Sequence, residues 1–312
     1  MPEIPVYDHE AVLTLVSPGE AIERVRDGFV AYAHGDWEMP AKTYVQVPNG
    51  DFRAMPAQGG GLAILKWITS FPGNPERGLP VVQGVISVSR AETGEPLALI
   101  DARAVTALRT GAVAAVAAQE LAREDASSVG LIGCGVYGSW TARCLAAAEY
   151  GPGVCFDPDP DAAGALAGEL RWEAGSREDA LACDVVTCVT PGHDPVVRAD
   201  DLRPGMHLNM LGADGPGKAE MEVEAVVRCR IFADEWRQAS HGGELTGAAE
   251  AGRVTRDDVT ELGDVITGRA PGRPSDDSIT LFDSTGLAIQ DLALCHAVLE
   301  AGAAPKAQTV RI

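Results

Sequence analysis

Apolar side chains change their spacing along the chain, and the first spacing is helical. Ser17, Pro18 and Glu20 provide a capping serine, a proline at the first helical position and a glutamate three residues after the cap. Apolar side chains then follow at helical spacing until a glycine ends the pattern: Ile22, Val25, Phe29 and Gly35. This stretch therefore predicts a helix near the start of the chain.

From residue 43 to about residue 100 the spacing is that of strands. Alternating or continuous apolar runs at 44–47, 62–68 and 81–88 are separated by turns rich in glycine and proline. These runs predict one antiparallel sheet or half-barrel. The alanine-rich stretch 102–123 then predicts a long helix, which Ser127 and Ser128 interrupt.

After residue 128 short apolar strands alternate with helical stretches, which is typical of a parallel sheet covered by helices. The predicted strands are 129–132, 154–156, 185–189, 207–211, 230–233 and 279–282. The last segment, 286–302, carries Ala288, Leu292, Cys295 and Leu299 at helical spacing. It predicts a helix that packs on an apolar surface of the first domain.

Charge and composition exclude several classes of partner. The formal net charge of −20 argues against nucleic acid, because proteins that bind phosphate backbones concentrate lysine and arginine. No stretch approaches the ~18 consecutive apolar residues of a membrane span, and residues 1–10 lack the layout of a signal peptide. The seven cysteines contain no C-x-x-C pair, which favours free core thiols over disulfides or a metal site. A cytoplasmic protein is expected.

A glycine-rich turn follows the predicted strand 129–132. Gly133, Gly135 and Gly138 form the pattern G-x-G-x-x-G, and a helical stretch continues to about residue 150. In a Rossmann fold these glycines permit the tight turn, the approach of a pyrophosphate and close helix packing, and the anion binds at the helix N-terminus. Because strand and helix are both in place, the motif predicts a dinucleotide site.

Asp157 ends the next predicted strand, 24 residues after Gly133, near the ~20-residue spacing at which an acid accepts the hydroxyls of the adenosine ribose. A carboxylate there repels a 2′-phosphate, which favours NAD over NADP. The alternative is a glycine-rich turn beside a solvated aspartate. Polar residues also follow other predicted strands, although loops are polar in any case: Thr190, Asp214, Asp283, Ser284 and Thr285.

Three charged residues stand where an unpaired charge is costly. Lys66 lies in an apolar strand, Arg109 in the alanine-rich helix and Asp214 in a glycine-rich loop. Together, such groups are suited to fix a carboxylate and to transfer a proton.

At these segments the chain resembles the ornithine cyclodeaminase/μ-crystallin family, and within it the archaeal alanine dehydrogenase branch. The matching segments span nearly the whole chain: 53–56, 66–67, 72–75, 108–111, 132–135, 212–218, 241–244 and 282–291. The resemblance implies an α/β protein with a doubly wound NAD-binding Rossmann domain at 112–285. It also implies an N-terminal α+β domain at 1–111, completed by the C-terminal helix at 286–312, that binds substrate and forms a homodimer through its sheet.

The resemblance also implies roles for individual residues. It places Lys66 and Arg109 on the carboxylate of an amino or imino acid, with Lys66 counted among the catalytic groups, and makes Asp214 the acid/base beside the α-amino group. Cofactor contacts are expected at Gly133, Gly135, Val136, Tyr137, Gly138, Asp157, Thr110, Thr190, Lys218 and Ser284. Without the resemblance, Arg109 and Asp214 are interpreted as a structural ion pair, and Lys66 as a strand lysine that extends to solvent.

Departures from the family pattern bear on the substrate. Arg53, counted with Lys42 among the substrate-binding residues, replaces the glutamate of cyclodeaminases. A second cation there repels the side-chain ammonium of ornithine, which favours a small neutral substrate. Lys42 takes the place of a carboxylate-binding arginine or is an exposed strand lysine. Thr69, Phe71 and Val81 replace the usual asparagine, histidine and threonine, which makes the pocket more apolar.

Histidines add little to this assignment. His241 is either a second proton carrier or a loop histidine packed on the interface, and the second interpretation is favoured. The other histidines show no spacing of a metal site: His9, His34, His193, His207 and His296.

Several activities follow from the resemblance. The first is an NAD-dependent amino acid dehydrogenase that interconverts a small L-amino acid with a 2-oxo acid and ammonia. The alternatives are an ornithine cyclodeaminase, which forms L-proline and ammonia, and a reductase of cyclic imines such as pyrroline-2-carboxylate. A non-catalytic ligand-binding protein like μ-crystallin belongs to a different class, and the presence of Lys66, Arg109 and Asp214 argues against it.

Overall fold

A computed structural model describes residues 3–192, 194–215, 217–302 and 308–311, so His193 and Pro216 lie outside the described residues. The strands are β1 (Glu3–Tyr7), β2 (Thr43–Val47), β3 (Gly50–Gly59), β4 (Leu62–Ser70), β5 (Val82–Arg90), β6 (Pro96–Asp101), β7 (Val129–Ile132), β8 (Gly153–Phe156), β9 (Glu173–Ala174), β10 (Val185–Cys188), β11 (His207–Met210), β12 (Arg230–Ala233), β13 (Val259–Glu261), β14 (Thr280–Asp283) and β15 (Gln308–Arg311). The helices are α1 (His9–Leu15), α2 (Pro18–His34), α3 (Ala102–Leu121), α4 (Val136–Ala147), α5 (Pro160–Leu170), α6 (Arg177–Leu181), α7 (Val223–Val226), α8 (Trp236–Gly242), α9 (Thr246–Glu250), α10 (Leu262–Ile266) and α11 (Ala288–Ala301).

The chain divides into two compact units. The first comprises Met1–Arg109 with Leu287–Ile312, and the second comprises Thr110–Gly286. Within the described residues, no helix combines the length and the apolar character that a membrane crossing requires.

The first unit contains a seven-stranded sheet in the order β15-β1-β6-β5-β4-β3-β2. Strands β2 to β6 pair antiparallel, as the alternating pattern predicts. The antiparallel sheet predicted for residues 43–100 is therefore confirmed, and β1 extends it by pairing parallel with β6 and antiparallel with β15. Strands β1 and β15 come from opposite ends of the chain and were not predicted, and β15 forms the edge of the sheet.

Helices cover one face of this sheet. The buried face of β3 and β4 carries Met55 opposite Lys66 and Arg53 opposite Ile68. Helix α11 packs on β3 and β4 and against α2. A Cβ atom at Gly28 of α2 would lie 3.3 Å from the side chain of Ala293 of α11, so the two helices approach closely. The predicted C-terminal helix therefore lies in the core of the first unit.

The two ends of α2 confirm the predicted helix signals. The Ser17 side chain accepts a hydrogen bond from the Glu20 amide at 3.2 Å. At the other end Gly35 adopts the left-handed conformation with φ of 82°, which glycine takes without a steric cost.

The second unit is an eight-stranded parallel sheet in the order β13-β12-β14-β11-β10-β7-β8-β9. Apolar clusters cover both faces, with Leu131 in one cluster and Ile132 in the other. The strand order reverses between β7 and β10. In doubly wound sheets, ligands bind beyond the carboxyl ends of the strands at this reversal. The predicted Rossmann architecture is confirmed.

Gly111 of the family segment 108–111 has a packing role in this unit. A Cβ atom at this position of α3 would lie 2.5 Å from the backbone oxygen of Trp140 in α4. A side chain would therefore force the two helices apart.

Candidate active site

The glycine turn after β7 is shaped to receive a dinucleotide. Gly133 has φ of 99°, and a Cβ atom there would lie 2.5 Å from the Val189 carbonyl oxygen. A Cβ atom at Gly138 would lie 1.9 Å from the Gly133 oxygen, so only glycine allows α4 to start this close to the turn. In contrast, a Cβ atom at Gly135 would meet nothing within 4 Å. The backbone of Gly135 therefore lies open on the side from which a pyrophosphate approaches.

Helix α4 starts directly behind this turn. Its N-cap residue is Gly135, and no side chain caps its first amides. These amides are available to an anion, which the positive end of the helix dipole also favours. Val136 is 65% exposed beside the turn. Tyr137 is half-buried.

Asp157 follows β8 and lies against the same turn. Its Oδ2 accepts the Cys134 amide at 2.7 Å, and its Oδ1 accepts the Asp159 amide at 2.9 Å. Each carboxylate oxygen has a second lone pair, so these bonds leave capacity for a ribose hydroxyl. The turn, the uncapped helix start and this acid together fit the NAD that the sequence predicts.

One buried carboxylate connects the ends of two neighbouring strands. Glu220 accepts the Thr190 amide after β10 at 2.7 Å. It also accepts the amides of Leu211 and Gly212 after β11 at 3.1 and 2.7 Å. Burial raises the pKa of Glu220, whereas these amide donors lower it. Glu220 therefore fixes the predicted cofactor residue Thr190 and the loop that leads to Asp214.

Further buried carboxyl groups line the same edge of the sheet. Glu244 accepts the amides of Glu220 and Met221 at 2.8 and 2.7 Å. Burial and the nearby Glu220 raise the pKa of Glu244 to about 8. Asp283 is also fully buried, and burial together with the neighbouring Asp234 raises its pKa well above the usual range. Burial and the neighbouring carboxyl groups therefore favour the protonated forms of Glu244 and Asp283.

Ser284, a predicted cofactor contact, forms a hydrogen bond with a buried carboxylate at the same edge of the sheet. Its hydroxyl donates to Asp234 at 3.2 Å, and the Gly286 amide donates to the same carboxylate at 2.9 Å. Thr110, another predicted contact, is buried near the start of the second unit. The structure thus gives Ser284 a role in shaping the loop after β14.

Asp214 and Lys218, predicted as acid/base and cofactor contact, form an ion pair. The Lys218 ammonium lies 2.6 Å from Asp214 Oδ1, and both side chains remain partly exposed. The two residues are four apart in one loop, so the loop itself brings them together. The Asp214 carboxylate is therefore held in a defined position at the surface of the second unit.

In the first unit Lys66 is buried in an ion pair. Its side chain is 1% exposed, and its Nζ lies 2.7 Å from Oδ1 of Asp291, which is fully buried. Burial lowers the pKa of Lys66 to about 8, and the negative charge of Asp291 opposes this shift. The interpretation of Lys66 as a strand lysine that extends to solvent is wrong, because the side chain points into the α11 side of the sheet.

Arg109 joins the same cluster. Its Nε lies 3.9 Å from Asp291 Oδ1, and its Nη1 donates to Gln290 Oε1 at 3.3 Å. Among the described residues, no hydrogen-bond partner is present for Arg109 Nε, Gln290 Nε2 or Asp291 Oδ2, although all three atoms are buried. The structure therefore brings Lys66 and Arg109 together and leaves polar atoms beside them unsatisfied.

Arg53 is also held by a carboxylate. Its Nε and Nη2 donate to the two oxygens of Asp51 at 2.6 and 3.2 Å. The guanidinium also lies over the Tyr44 ring, 5.5 Å from its centre. The predicted cation Arg53 is thus paired with Asp51, and this pairing weakens its repulsion of a second ammonium group.

Two other predicted positions lie as follows. Lys42 directly precedes β2 and is half-buried. His241 lies in the last turn of α8, not in a loop, and its Nδ1 contacts the Arg237 carbonyl oxygen at 2.9 Å. The predicted loop position of His241 is therefore wrong, because the residue is helical, and its ring is exposed in the single chain.

The doubly wound sheet, its glycine turn and the acid after β8 define a dinucleotide-binding α/β protein. The chain belongs to the ornithine cyclodeaminase/mu-crystallin family, whose model matches residues 6–304. This membership confirms the resemblance on which the site assignments rest.

Comparisons with individual proteins support the same family membership. An alanine dehydrogenase of Archaeoglobus fulgidus is 42% identical over 302 residues, 95% of this chain and 94% of that protein. The structure of an archaeal alanine dehydrogenase dimer with bound NAD matches with a TM-score of 0.95 and 40% identity, covering 99% of each chain. The Δ(1)-pyrroline-2-carboxylate reductase of Thermococcus litoralis, in complex with NADH and L-proline, matches with a TM-score of 0.91 and 27% identity, covering 96% of this chain and 97% of that one.

The sequence interpretation missed three carboxylates that organise these groups. Asp291 was visible as an acid within the most apolar part of the predicted C-terminal helix, where a charge requires a buried partner. Asp51 stands two residues before Arg53, on the same face of a strand. Glu220 gave no local signal, because it acts through backbone amides of distant loops.

Proposed function

We propose that this chain is an NAD-dependent amino acid dehydrogenase that interconverts a small L-amino acid with its 2-oxo acid and ammonia. The proposal rests on the buried cation Lys66 and the adjacent, partly buried cation Arg109 in a chain that also carries a complete dinucleotide turn. The alanine dehydrogenases among its relatives support this reaction class.

The residues around the turn are proposed to hold NAD. The Gly135 backbone and the first amides of α4 bind the pyrophosphate, and Asp157 accepts the ribose hydroxyls. Thr190, held by Glu220, lines the next strand end. When bound, NAD supplies the hydride acceptor or donor. The NAD and NADH in related structures support the same cofactor here.

The first unit is proposed to bind the substrate. Lys66 and Arg109 are positive groups suited to a carboxylate, which an arginine binds in a defined orientation. Proton exchange with the substrate nitrogen is assigned to Asp214, because a carboxylate accepts the proton as ammonium becomes imine. Each assignment rests on the geometry within its own unit.

A homodimer is proposed as the working assembly. On the face of the first sheet opposite Lys66, the apolar side chains of Leu65, Trp67 and Val85 are between 39% and 46% exposed. Such an apolar face indicates an interface. The dimer of the archaeal relative supports this assignment. We further propose that the unit Met1–Arg109 with Leu287–Ile312 is the substrate and dimerisation domain and that Thr110–Gly286 is the NAD-binding domain.

An ornithine cyclodeaminase is the second candidate, and one observation keeps it open. The sequence argument against ornithine was the charge of Arg53, which Asp51 now compensates. A cyclodeaminase regenerates its NAD, so ornithine would yield proline without net change in NADH. A cyclic imine reductase would instead oxidise NADH with pyrroline-2-carboxylate and without ammonium. A cytoplasmic location is proposed from the cysteine spacing, which favours core thiols over disulfides.

The test is the absorbance of NADH with a panel of 2-oxo acids and ammonium, with proline analysis of ornithine reactions in parallel. Consumption of NADH that requires both a 2-oxo acid and ammonium supports the dehydrogenase. A tight NADH complex that is inert toward every 2-oxo, amino and imino acid would show a binding protein and reject the enzyme.

Asp214→Asn provides the matched variant for the catalytic role. The amide keeps the shape of the side chain but accepts no proton, so kcat is expected to fall about 10²- to 10⁴-fold. The Kd for NADH, measured by fluorescence, is expected to change little. An active Asp214→Asn enzyme would remove Asp214 from the mechanism.

A further inference from the structure

Asp291 lies between the two cations that are proposed to bind the substrate. It belongs to α11, whose residues from Ala288 to Cys295 are all buried. A single oxygen, Oδ1, lies 2.7 Å from Lys66 Nζ and 3.9 Å from Arg109 Nε. One carboxylate oxygen thus joins a strand residue and a residue of α3.

The charges at this cluster do not cancel. Lys66 and Arg109 carry two positive charges, and Asp291 carries one negative charge, which leaves one cation uncompensated. A buried lysine without a partner loses its proton, because burial disfavours the charged form. The groups acting on Lys66 are Asp291 and Cys295 from α11 and Arg109 from α3, and of the two charged ones only Asp291 favours the ammonium form. Arg53 on β3 is already compensated by Asp51.

We infer that Asp291 is a positioning residue that holds Lys66 ionised and beside Arg109, so that the cluster of the three side chains presents one net positive charge to a substrate carboxylate. The inference rests on the proposed function. It deepens that function, since one net positive charge at the cluster matches the single carboxylate of a small neutral amino acid. Asp291 does not touch the substrate in this arrangement and acts through Lys66 and Arg109.

Direct observation of Lys66 tests this role without relying on turnover. The chain has only four lysines, Lys42, Lys66, Lys218 and Lys306. NMR of protein labelled with ¹³C at lysine Cε therefore yields few signals, and Lys66→Arg assigns the signal of Lys66. In Asp291→Asn the pKa of Lys66 is expected to fall by at least one unit, because the opposing charge is lost.

Kinetics with pyruvate and ammonium provide the second readout. In Asp291→Asn the KM for pyruvate is expected to rise about tenfold or more and to begin rising at a lower pH than in the parent protein. The KM for NADH is expected to stay within twofold. Glu300→Gln is the matched control, since it removes an exposed carboxylate from the same helix, where Glu300 pairs with Arg24. It should change neither the Lys66 pKa nor the KM for pyruvate.

Asp291→Glu separates charge from position and serves if Asp291→Asn does not fold. It retains the carboxylate but moves it by one methylene. The Lys66 pKa is expected to remain near that of the parent protein, whereas the KM for pyruvate is expected to rise at least threefold.

The outcomes separate this inference from the proposed function. A Lys66 pKa unchanged in Asp291→Asn, or an unchanged KM for pyruvate in a folded Asp291 variant, rejects the role of Asp291 alone. If neither pyruvate nor alanine perturbs the Lys66 signal in the parent protein with NAD present, the proposed carboxylate site fails, and the role of Asp291 toward substrate fails with it.

Discussion

At the scale of single residues, buried carboxyl groups in the second unit act as structural acids. Glu244 binds two backbone amides, yet burial and Glu220 raise its pKa to about 8. In an unfolded chain the same group has its ordinary pKa near 4.5. Between these two values the folded protein retains a proton that the unfolded chain has lost. Its contribution to the free energy of unfolding therefore decreases as pH rises through this window.

Glu244→Gln should remove this pH dependence. Glutamine cannot ionise, so the free energy of unfolding of the variant relative to the parent protein should increase between pH 5 and pH 8, by an amount on the order of 2 kcal/mol. Urea denaturation at the two pH values measures the difference. Glu250→Gln, a change at an exposed residue, is the control, and a parallel pH dependence in parent and Glu244→Gln would contradict the assignment.

At the scale of elements, two glycines of the turn between β7 and α4 have different roles, one in folding and one in ligand binding. A methyl group at Gly138 would collide with the Gly133 oxygen, whereas one at Gly135 would meet no protein atom within 4 Å. Gly135 has φ of −68° and ψ of −168°, which alanine adopts without strain. Gly138 is thus required by the fold, whereas for Gly135 we propose that the bound cofactor imposes the requirement.

Gly135→Ala should leave the melting temperature unchanged and raise the Kd for NADH about tenfold, because the methyl group occupies the approach of the pyrophosphate. Gly138→Ala should weaken NADH binding as well, but with a loss of stability of about 1–3 kcal/mol from overpacking. Thermal unfolding and NADH fluorescence distinguish the two variants. Unaltered NADH binding by Gly135→Ala would place the cofactor elsewhere.

Local signals of this kind made most elements predictable from sequence. The glycine turn, the cap of α2 and the six strands 129–132 to 279–282 each depend on residues close in the chain, and each is present. The pairing of β1 with β15 joins Glu3 to Arg311 and has no local signal. Strands β9 and β13 comprise only two and three residues, too few for a periodic pattern.

In the candidate site, too, features with a local sequence signal were predictable, and contacts between distant residues were not. The sequence predicted that the cations Lys66 and Arg109 act together on a carboxylate. The structure brings the two side chains together in the first unit. Their common partner Asp291 lies 225 residues from Lys66 in the chain, and its contact depends on the packing of α11 on the sheet. Arg53 shows the same limit, because its charge was evident but its compensation by Asp51 depends on side-chain geometry.

At the scale of the whole molecule, the apolar face of the first sheet is the feature that a single chain does not explain. Trp67 stacks on Phe52 with ring centres 5.5 Å apart, and Leu65 lies two residues away on the same face. This face would be costly to leave in water. We therefore expect a second copy of the chain to cover it.

Leu65→Glu tests the proposed dimer. A charge at the centre of an apolar interface is costly to desolvate, so the variant should elute as a monomer at concentrations where the parent protein is a dimer, as measured by light scattering. Leu79→Glu is the control, since Leu79 is exposed outside the strands. A parent protein that is itself monomeric, or a dimer that tolerates Leu65→Glu, would contradict the proposal.

Glu220 has a consequence for how this fold accommodates different chemistry. One side chain clamps three main-chain N–H groups from two loops, so neither loop can be re-routed without releasing the other. We therefore expect changes in reactivity at this edge of the sheet to come from substitutions of loop side chains, while the loop backbone keeps its position. To alter the selectivity of such a protein, the side chains of these two loops are the positions to substitute, and Glu220 is the residue to keep.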